Sequence, residues 1–428
     1  MIKSGIGRII TMIGFILVMT SQIAISQVLG PEILKDKEPA EIDFEYSQGF
    51  IILNLRFSKA LPLKFILDTG AEHVILFRRE ITDILGIEYE KRINLVGSDL
   101  EREVYAFICR NVALQLEKTQ TVSRDIIVLE EDFLHLEELT GEAIHGILGT
   151  RFFRNLIMGI DYKKGKLTLH SADSFRPPTE PDFKKISIEI DKYKPYVRSK
   201  MKRADGLELD LKLLIDTGAA LPFMLFVDTH PSLTLPDYFV KGNLGKGLGG
   251  DLMGYLSKMR ELQFTEHFSF NNIITSFQKL DTLINPEVYK GRNGLIGNPI
   301  LERFHIILDN VNGIMYLKAR KNYNKDFKYD KSGLVIYAFG PELNDYYVKE
   351  VIEGSPAWNA GIRSGDMIKS LGIWPINFYS LRHILNKLKG REGKKIRMKL
   401  ERNGRSFRTN LVLNDFLSPK KLKKAKNK

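Results

Sequence analysis

A single cysteine, Cys109, stands in 428 residues, so the chain has no internal disulfide and no thiolate cluster for a metal. Its folded parts must hold by packing. Past residue 19 no stretch is apolar for long enough to span a bilayer. The eight histidines are scattered and no His-Glu-x-x-His occurs, which excludes the common zinc-protease helix. No serine sits in Gly-x-Ser-Gly or Gly-x-Ser-x-Gly, which disfavours a serine hydrolase. There is no glycine-rich phosphate loop and no aromatic-basic stripe suited to nucleic acid. Neither a cofactor nor a metal is implied.

The charge is uneven. The formal net charge is +12, and the last eleven residues, "SPKKLKKAKNK" (418–428), carry six lysines and no acid. That tail reads as solvated and disordered, or as a weak contact for an anionic surface, and it leaves the rest only mildly basic. At the other end Lys3 and Arg8 precede "IITMIGFILVM", and Ala24 and Ser26 are small residues at −3 and −1 of a cut before Gln27. Residues 1–26 therefore have the layout of a secretory signal peptide, with an uncleaved anchor as the alternative. An exported protein of the periplasm or cell envelope is expected. "VLGPEILKDKEPAEID" then reads as a short pro-segment or a leading arm.

Short β runs dominate from about residue 43 to 320, beginning with "FIILNLRFS" and "LPLKFILDTG" around a tight "SKA" turn. A second copy follows. Asp68-Thr-Gly recurs as Asp216-Thr-Gly, an offset of 148. "GILG", ending at Gly149, recurs as "GLIG", ending at Gly297, again offset by 148. Asp161 and Asp309, and Gly165 and Gly313, keep the same offset. A constant offset through separate motifs means two copies of one domain. "SADSFRPPTEPDFKK" reads as the linker between them, and "ARKNYNKDFKYDK" as the linker to a third unit with a different texture. The expected division is 40–172, 183–320 and 331–415.

One Asp-Thr-Gly is a common turn; two, each ending an apolar strand, suggest chemistry. Two carboxylates about 3 Å apart cannot both ionise and share one proton. The ionised member can deprotonate a water while the other polarises a carbonyl. One domain supplies one carboxylate, so a pseudo-twofold pair of domains is needed. Gly70 and Gly218 are expected to permit the tight turn behind each aspartate. Thr69 and Thr217 can hydrogen-bond across the axis and hold both loops. His73, near the first motif, reads as a surface residue.

On "ILDTGA" with "GILG", and "LIDTGA" with "GLIG", residues 43 to 320 resemble the retropepsin-like aspartic proteases, in particular two-lobed bacterial members that carry a PDZ domain. The resemblance implies a mainly β fold with two tandem β-barrel lobes forming a pseudo-dimer, then a small α+β PDZ domain. It implies Asp68 and Asp216 as the catalytic pair, and Ile147-Leu148-Gly149 and Leu295-Ile296-Gly297 as strands packed behind them. Flaps are expected around Gly97 and around Gly245 to Gly250, where the alternative is an ordinary loop. Ala71 and Ala219 stand where pepsin-like enzymes have a hydroxyl residue, and a missing donor raises the pair's pKa values.

"YYVKEVIEGSPAWNAGIRSGDMIKSLG" resembles the core of a PDZ domain, with a strand over Val348 to Ile352, a helix starting at Ser355-Pro-Ala, and a turn from Gly361 to Ile368. The preceding "SGLVI" matches its carboxylate-binding loop. There Gly333, Leu334, Val335 and Ile336 would bind a peptide C-terminus, added as a sheet-edge strand. The expected function is an exported endopeptidase acting on a protein or peptide substrate, active as a monomer. The alternative is a catalytically inactive peptide-binding or scaffold protein.

Overall fold

The computed structural model describes residues 33–35, 38–96, 103–203, 206–248, 250–279 and 291–418. The signal-peptide segment 1–26, the tip of the expected flap at Gly97 and nearly all of the basic tail lie outside the described residues. The described chain is mainly β, in two eight-stranded sheets, a six-stranded sheet between them, and a C-terminal sheet of its own.

In the first lobe Phe50–Phe57 pairs with Leu61–Asp68 across the Ser58–Ala60 turn. Leu61–Asp68 lies parallel to Gly146–Gly149, which in turn lies antiparallel to Val74–Leu76. Two strands consecutive in sequence are thus separated by one that arrives about 80 residues later, an arrangement that departs from the usual neighbour pairing. Phe50–Phe57 also pairs with Glu103–Leu116, closing the sheet into a barrel. The second lobe repeats each step: Glu208–Ile215 parallel to Gly294–Ile296, Phe223–Val227 antiparallel to it, and Lys194–Lys202 closing onto Gly250–Thr265. Inward residues such as Leu53, Leu55, Phe65 and Leu67 alternate along the strands and are 1% exposed or less.

The six-stranded sheet joins the halves. Leu156–Asp161 lies antiparallel to Phe304–Asp309 with Gly159 opposite Ile307. Those two residues are themselves 148 apart, so the pseudo-twofold axis passes between them. Gly165 and Gly313 both take left-handed turns, at φ of 65° and 66°, which a side chain would strain. The leading segment is built into this sheet. Ala40–Asp43 is its outer strand, and Ile33 and Leu34 are buried.

Both linkers run into ordered structure. Phe183–Ser187, at the end of the first, is a strand paired with Ile314–Ala319. The second is pinned to the lobe by Tyr323 and Phe327, which pack on Phe270, and by Arg303, 3.6 Å above the Phe327 ring. Aromatic residues in a polar-looking stretch were the unread signal.

The C-terminal module runs Leu334–Phe339, Asp345–Val351, Met367–Leu371, Lys395–Arg402 and Arg405–Val412, with Leu334–Phe339 at the sheet's edge. Its strand begins three residues before the expected Val348, because Tyr346 is also buried in the module core. Ser355 caps the short helix Pro356–Asn359 through its side chain, as the Ser-Pro pair predicts. The helix Leu381–Leu388 is capped by Ser380 and buries Leu381, Ile384 and Leu388 on one face.

Phe304 touches Phe264, Phe268, Phe270 and Tyr323 and is fully buried where the central sheet, the second lobe and the pinned linker meet. Phe304→Ala is expected to cost about 3–5 kcal/mol. Urea unfolding of the full-length protein, compared with wild type, measures it.

Candidate active site

Asp68 ends its strand and Asp216 directly follows Ile215, so both carboxylates emerge where parallel pairing with the returning strand stops. The two loops hold each other. Thr69 N–H donates to Thr217 Oγ1 at 3.0 Å, and Thr217 N–H donates to Thr69 Oγ1 at 3.0 Å. Each hydroxyl then donates onward, Thr69 to the Ile215 carbonyl at 2.6 Å and Thr217 to the Leu67 carbonyl at 2.8 Å. Both threonines are fully buried. Four hydrogen bonds close a ring in which every link crosses from one repeat to the other.

The glycines serve a different purpose from the expected one. Neither Gly70 nor Gly218 has a left-handed φ. A Cβ on Gly70 would lie 2.7 Å from the Asp216 carboxyl carbon, and one on Gly218 would collide with the Asp68 carboxylate. Each glycine clears space for the carboxylate of the other lobe. The same holds behind the loops. A Cβ on Gly149 would strike the backbone of Glu72 and His73, and one on Gly297 would strike the carbonyls of Ala219 and Leu221. The "ILG" and "LIG" strands end in glycine because the aspartate loops lie directly on them.

The two carboxylates are not equivalent. Asp68 Oδ1 accepts N–H groups from Gly70 at 2.7 Å and Ala71 at 3.0 Å. Asp216 Oδ1 accepts the Gly218 N–H, at 2.8 Å, while Ala219 N–H turns to the Asp216 main-chain oxygen. Burial raises the pKa of Asp68, opposed first by the Gly70 N–H. Burial raises Asp216 well above the usual carboxylate range, and the charge of Asp68 raises it further. The extra N–H on Asp68 favours its charged form relative to that of Asp216. The pair titrates as one unit.

Asn298 was missed by sequence reasoning. It is fully buried, and its Nδ2 donates to the Thr217 carbonyl at 2.5 Å and the Gly49 carbonyl at 2.6 Å. Its Oδ1 accepts the Tyr162 hydroxyl at 2.6 Å, linking the second aspartate loop to the first lobe. The signal was its place directly after "LIG". The equivalent position in the first copy is Thr150, whose hydroxyl donates to the Ala71 carbonyl at 3.1 Å. His73 is partly exposed, 3.6 Å from Glu72.

Around the pair lies a cavity of about 490 Å³, lined by apolar side chains such as Phe50, Ile75, Leu136, Met224 and Phe226. The hairpin of Val240–Gly247 and Gly250–Thr265 overhangs it with Leu244 to Leu248. Lys246 and Asp251, 3.2 Å apart, tie that hairpin, and Leu248 packs against apolar residues of the first lobe. Among the described residues, no group of three or more His, Cys, Asp or Glu side chains could hold a metal ion.

The expected carboxylate-binding loop is turned inward at two of its donors. Gly333 N–H donates to half-buried Asp330 at 2.7 Å, and Leu334 N–H to Ser332 Oγ at 3.1 Å. Asp330, which also accepts from Ser332, takes the position of acceptor within its own chain. Val335 and Ile336 lie on the edge strand, on either side of a register shift.

Residues 347–402 match the family model of the PDZ domain, which identifies the C-terminal module. Among solved structures, the chain is similar to the photosystem II D1 C-terminal processing protease, with 24% identity over 20% of this chain and a TM-score of 0.19. It spans 23% of the length of that protein. It is also similar to the aspartic proteinase from Irpex lacteus, with 11% identity over 67% of this chain and 99% of that one, at a TM-score of 0.41. A comparison with curated protein sequences found no match.

Thr217→Val leaves the Leu67 carbonyl and the Thr69 N–H without their partner in a site closed to water. A buried unsatisfied group costs about 1–3 kcal/mol, so a loss on the order of 3 kcal/mol is expected. Thermal unfolding reads it; an unchanged melting temperature would mean that the ring contributes no stability.

Proposed function

We propose that the protein is an exported aspartic endopeptidase of the retropepsin-like kind, whose Asp68 and Asp216 activate water against a peptide bond. The observation that carries this reading is the reciprocal threonine ring, which holds one carboxylate from each repeat face to face at the floor of an apolar cleft. A merely structural pair of turns has no need of two glycines that make room for opposing carboxylates.

The asymmetry of the pair supports distinct roles for the two carboxylates. Asp68, charged and held by two N–H groups, takes a proton from a water between the carboxylates as its oxygen attacks the peptide carbonyl. Asp216 gives its proton to the carbonyl oxygen, leaving a tetrahedral diol. In the second step the proton now on Asp68 passes to the amide nitrogen and the C–N bond breaks. One hydroxyl of the diol returns its proton to Asp216, and the products are a carboxyl and an amine. Water is the nucleophile, so no covalent intermediate forms. Both carboxylates come from one chain, so a monomer carries a complete site.

The test is cleavage of a diverse unfolded-peptide mixture from about pH 3 to 8, around the carboxylate range, read by mass spectrometry. Asp68→Asn and Asp216→Asn are each expected to lower the rate by about 10²–10⁴-fold. Cleavage that survives both substitutions would overturn the assignment. Rate falls at low pH as the pair gains its second proton and at high pH as it loses the one it shares. Both groups are raised, so the whole bell lies above that of an unperturbed carboxylate pair. Ala71 and Ala219 supply no hydroxyl to pull it back. A maximum at strongly acidic pH would contradict this.

A further inference from the structure

The cleft is not built from the two lobes alone. Leu385 and Lys389, from and just beyond the PDZ helix Leu381–Leu388, line the same cavity as Asp68 and Asp216. The module is seated there by contacts to both lobes. On the first lobe, Arg382 donates to the Tyr46 carbonyl at 2.7 Å, and Tyr347 hydroxyl donates to Glu138 at 3.4 Å. Leu381 lies so close to Gly141 that a Cβ there would be 3.2 Å from its own Cβ. On the second lobe, Ile352 abuts Gly242 of the overhanging hairpin, and Lys246 lies 5.6 Å above the Tyr337 ring. Tyr337 is 2% exposed although it sits on the sheet's edge strand. Lys258 pairs with Asp415, and Tyr238 hydroxyl donates to the Phe416 carbonyl at 2.9 Å, anchoring the chain that leaves the module.

The charges of this cavity have one sign. Apart from Asp68 and Asp216, no acidic side chain lines it among the described residues, whereas Lys246, Arg292 and Lys389 do. Lys246 is committed to Asp251, and the Arg292 guanidinium lies over Phe226 at 5.2 Å. Lys389 is exposed, on a helix end that faces the cavity from the module side. Low-dielectric walls focus such a field on a bound ligand.

We infer that the PDZ helix forms one wall of the substrate cleft, where Leu385 contacts an apolar residue of the bound peptide and Lys389 selects a carboxylate beyond it. The substrate class is then an extended peptide, apolar around the cleaved bond and bearing a carboxylate on the module side. That carboxylate comes from an acidic side chain or from the chain's own C-terminus. The inference rests on the cleft being the substrate site proposed above.

The test uses full-length wild type, Lys389→Glu and Lys389→Arg. The probes are decapeptides with a central Leu-Phe pair, carrying Glu or Gln at each flanking position in turn, each as free acid and as C-terminal amide. Wild type is expected to favour Glu at one flanking position, or the free acid over the amide, and the two arms tell a side chain from a terminus. In Lys389→Glu the ratio of kcat/KM for charged over uncharged peptide should fall on the order of tenfold, as reversal of one partly screened charge gives. Lys389→Arg should restore it. An equal ratio in wild type and Lys389→Glu overturns the inference and leaves the aspartate reading standing. Where wild type cleaves none of the peptides, the same ratio is read from their equilibrium binding by fluorescence anisotropy. Charge-selective binding lost in Lys389→Glu supports the wall without the chemistry, and no binding or unselective binding overturns it.

Discussion

Two threonine hydroxyls, each bonded to the backbone of the other repeat, are the constraint on which the rest of the site depends. They sit directly after the aspartates, so any play between the lobes there would be transferred to the carboxylates within one residue. The barrels behind them supply rigidity. The strand pairings close each lobe into a ring, and the glycine-ended strands let the loops rest on main chain with no intervening side chain. Asn298 adds a second tie, from the second loop through Tyr162 to the first lobe. Burying this much polar structure is tolerable because its members are mutually satisfied.

Near-symmetry in the backbone still yields inequality in the chemistry. The loops differ by one donor: Ala71 N–H reaches a carboxylate oxygen, and Ala219 N–H reaches a main-chain one. In a buried site that single bond favours the charged form of Asp68, since a hydrogen bond to the ionised form stabilises it.

Much of this was legible in the sequence because duplication is legible. An offset of 148 held across the aspartates, the returning strands and the sheet turns, and the structure bonds Thr69 to Thr217 at that same offset. What stayed hidden depends on proximity in space. Gly70 and Gly218 read as turn residues, and only the opposing carboxylates reveal them as clearance. Asn298 carried no mark of its role, which only its two carbonyl partners reveal. Asp330, three residues before Gly333, carried no sign that it would take the donors of the expected loop. The second stretch reads as a linker because its polar residues outnumber Tyr323 and Phe327, which with Arg303 hold it on the lobe.

The central sheet carries a consequence of another kind. Gly159 faces Ile307, its own counterpart in the other repeat, so the strand Leu156–Asp161 is complementary to a copy of itself. Contacts of that type are isologous, the kind that joins identical subunits about a twofold axis. Either half of the chain thus holds one full side of the joint. The architecture is that of a symmetric dimer whose two subunits have been written into a single chain. The copies differ in detail all the same: where one has Thr150 the other has Asn298, whose side-chain amide ties the second aspartate loop to the first lobe.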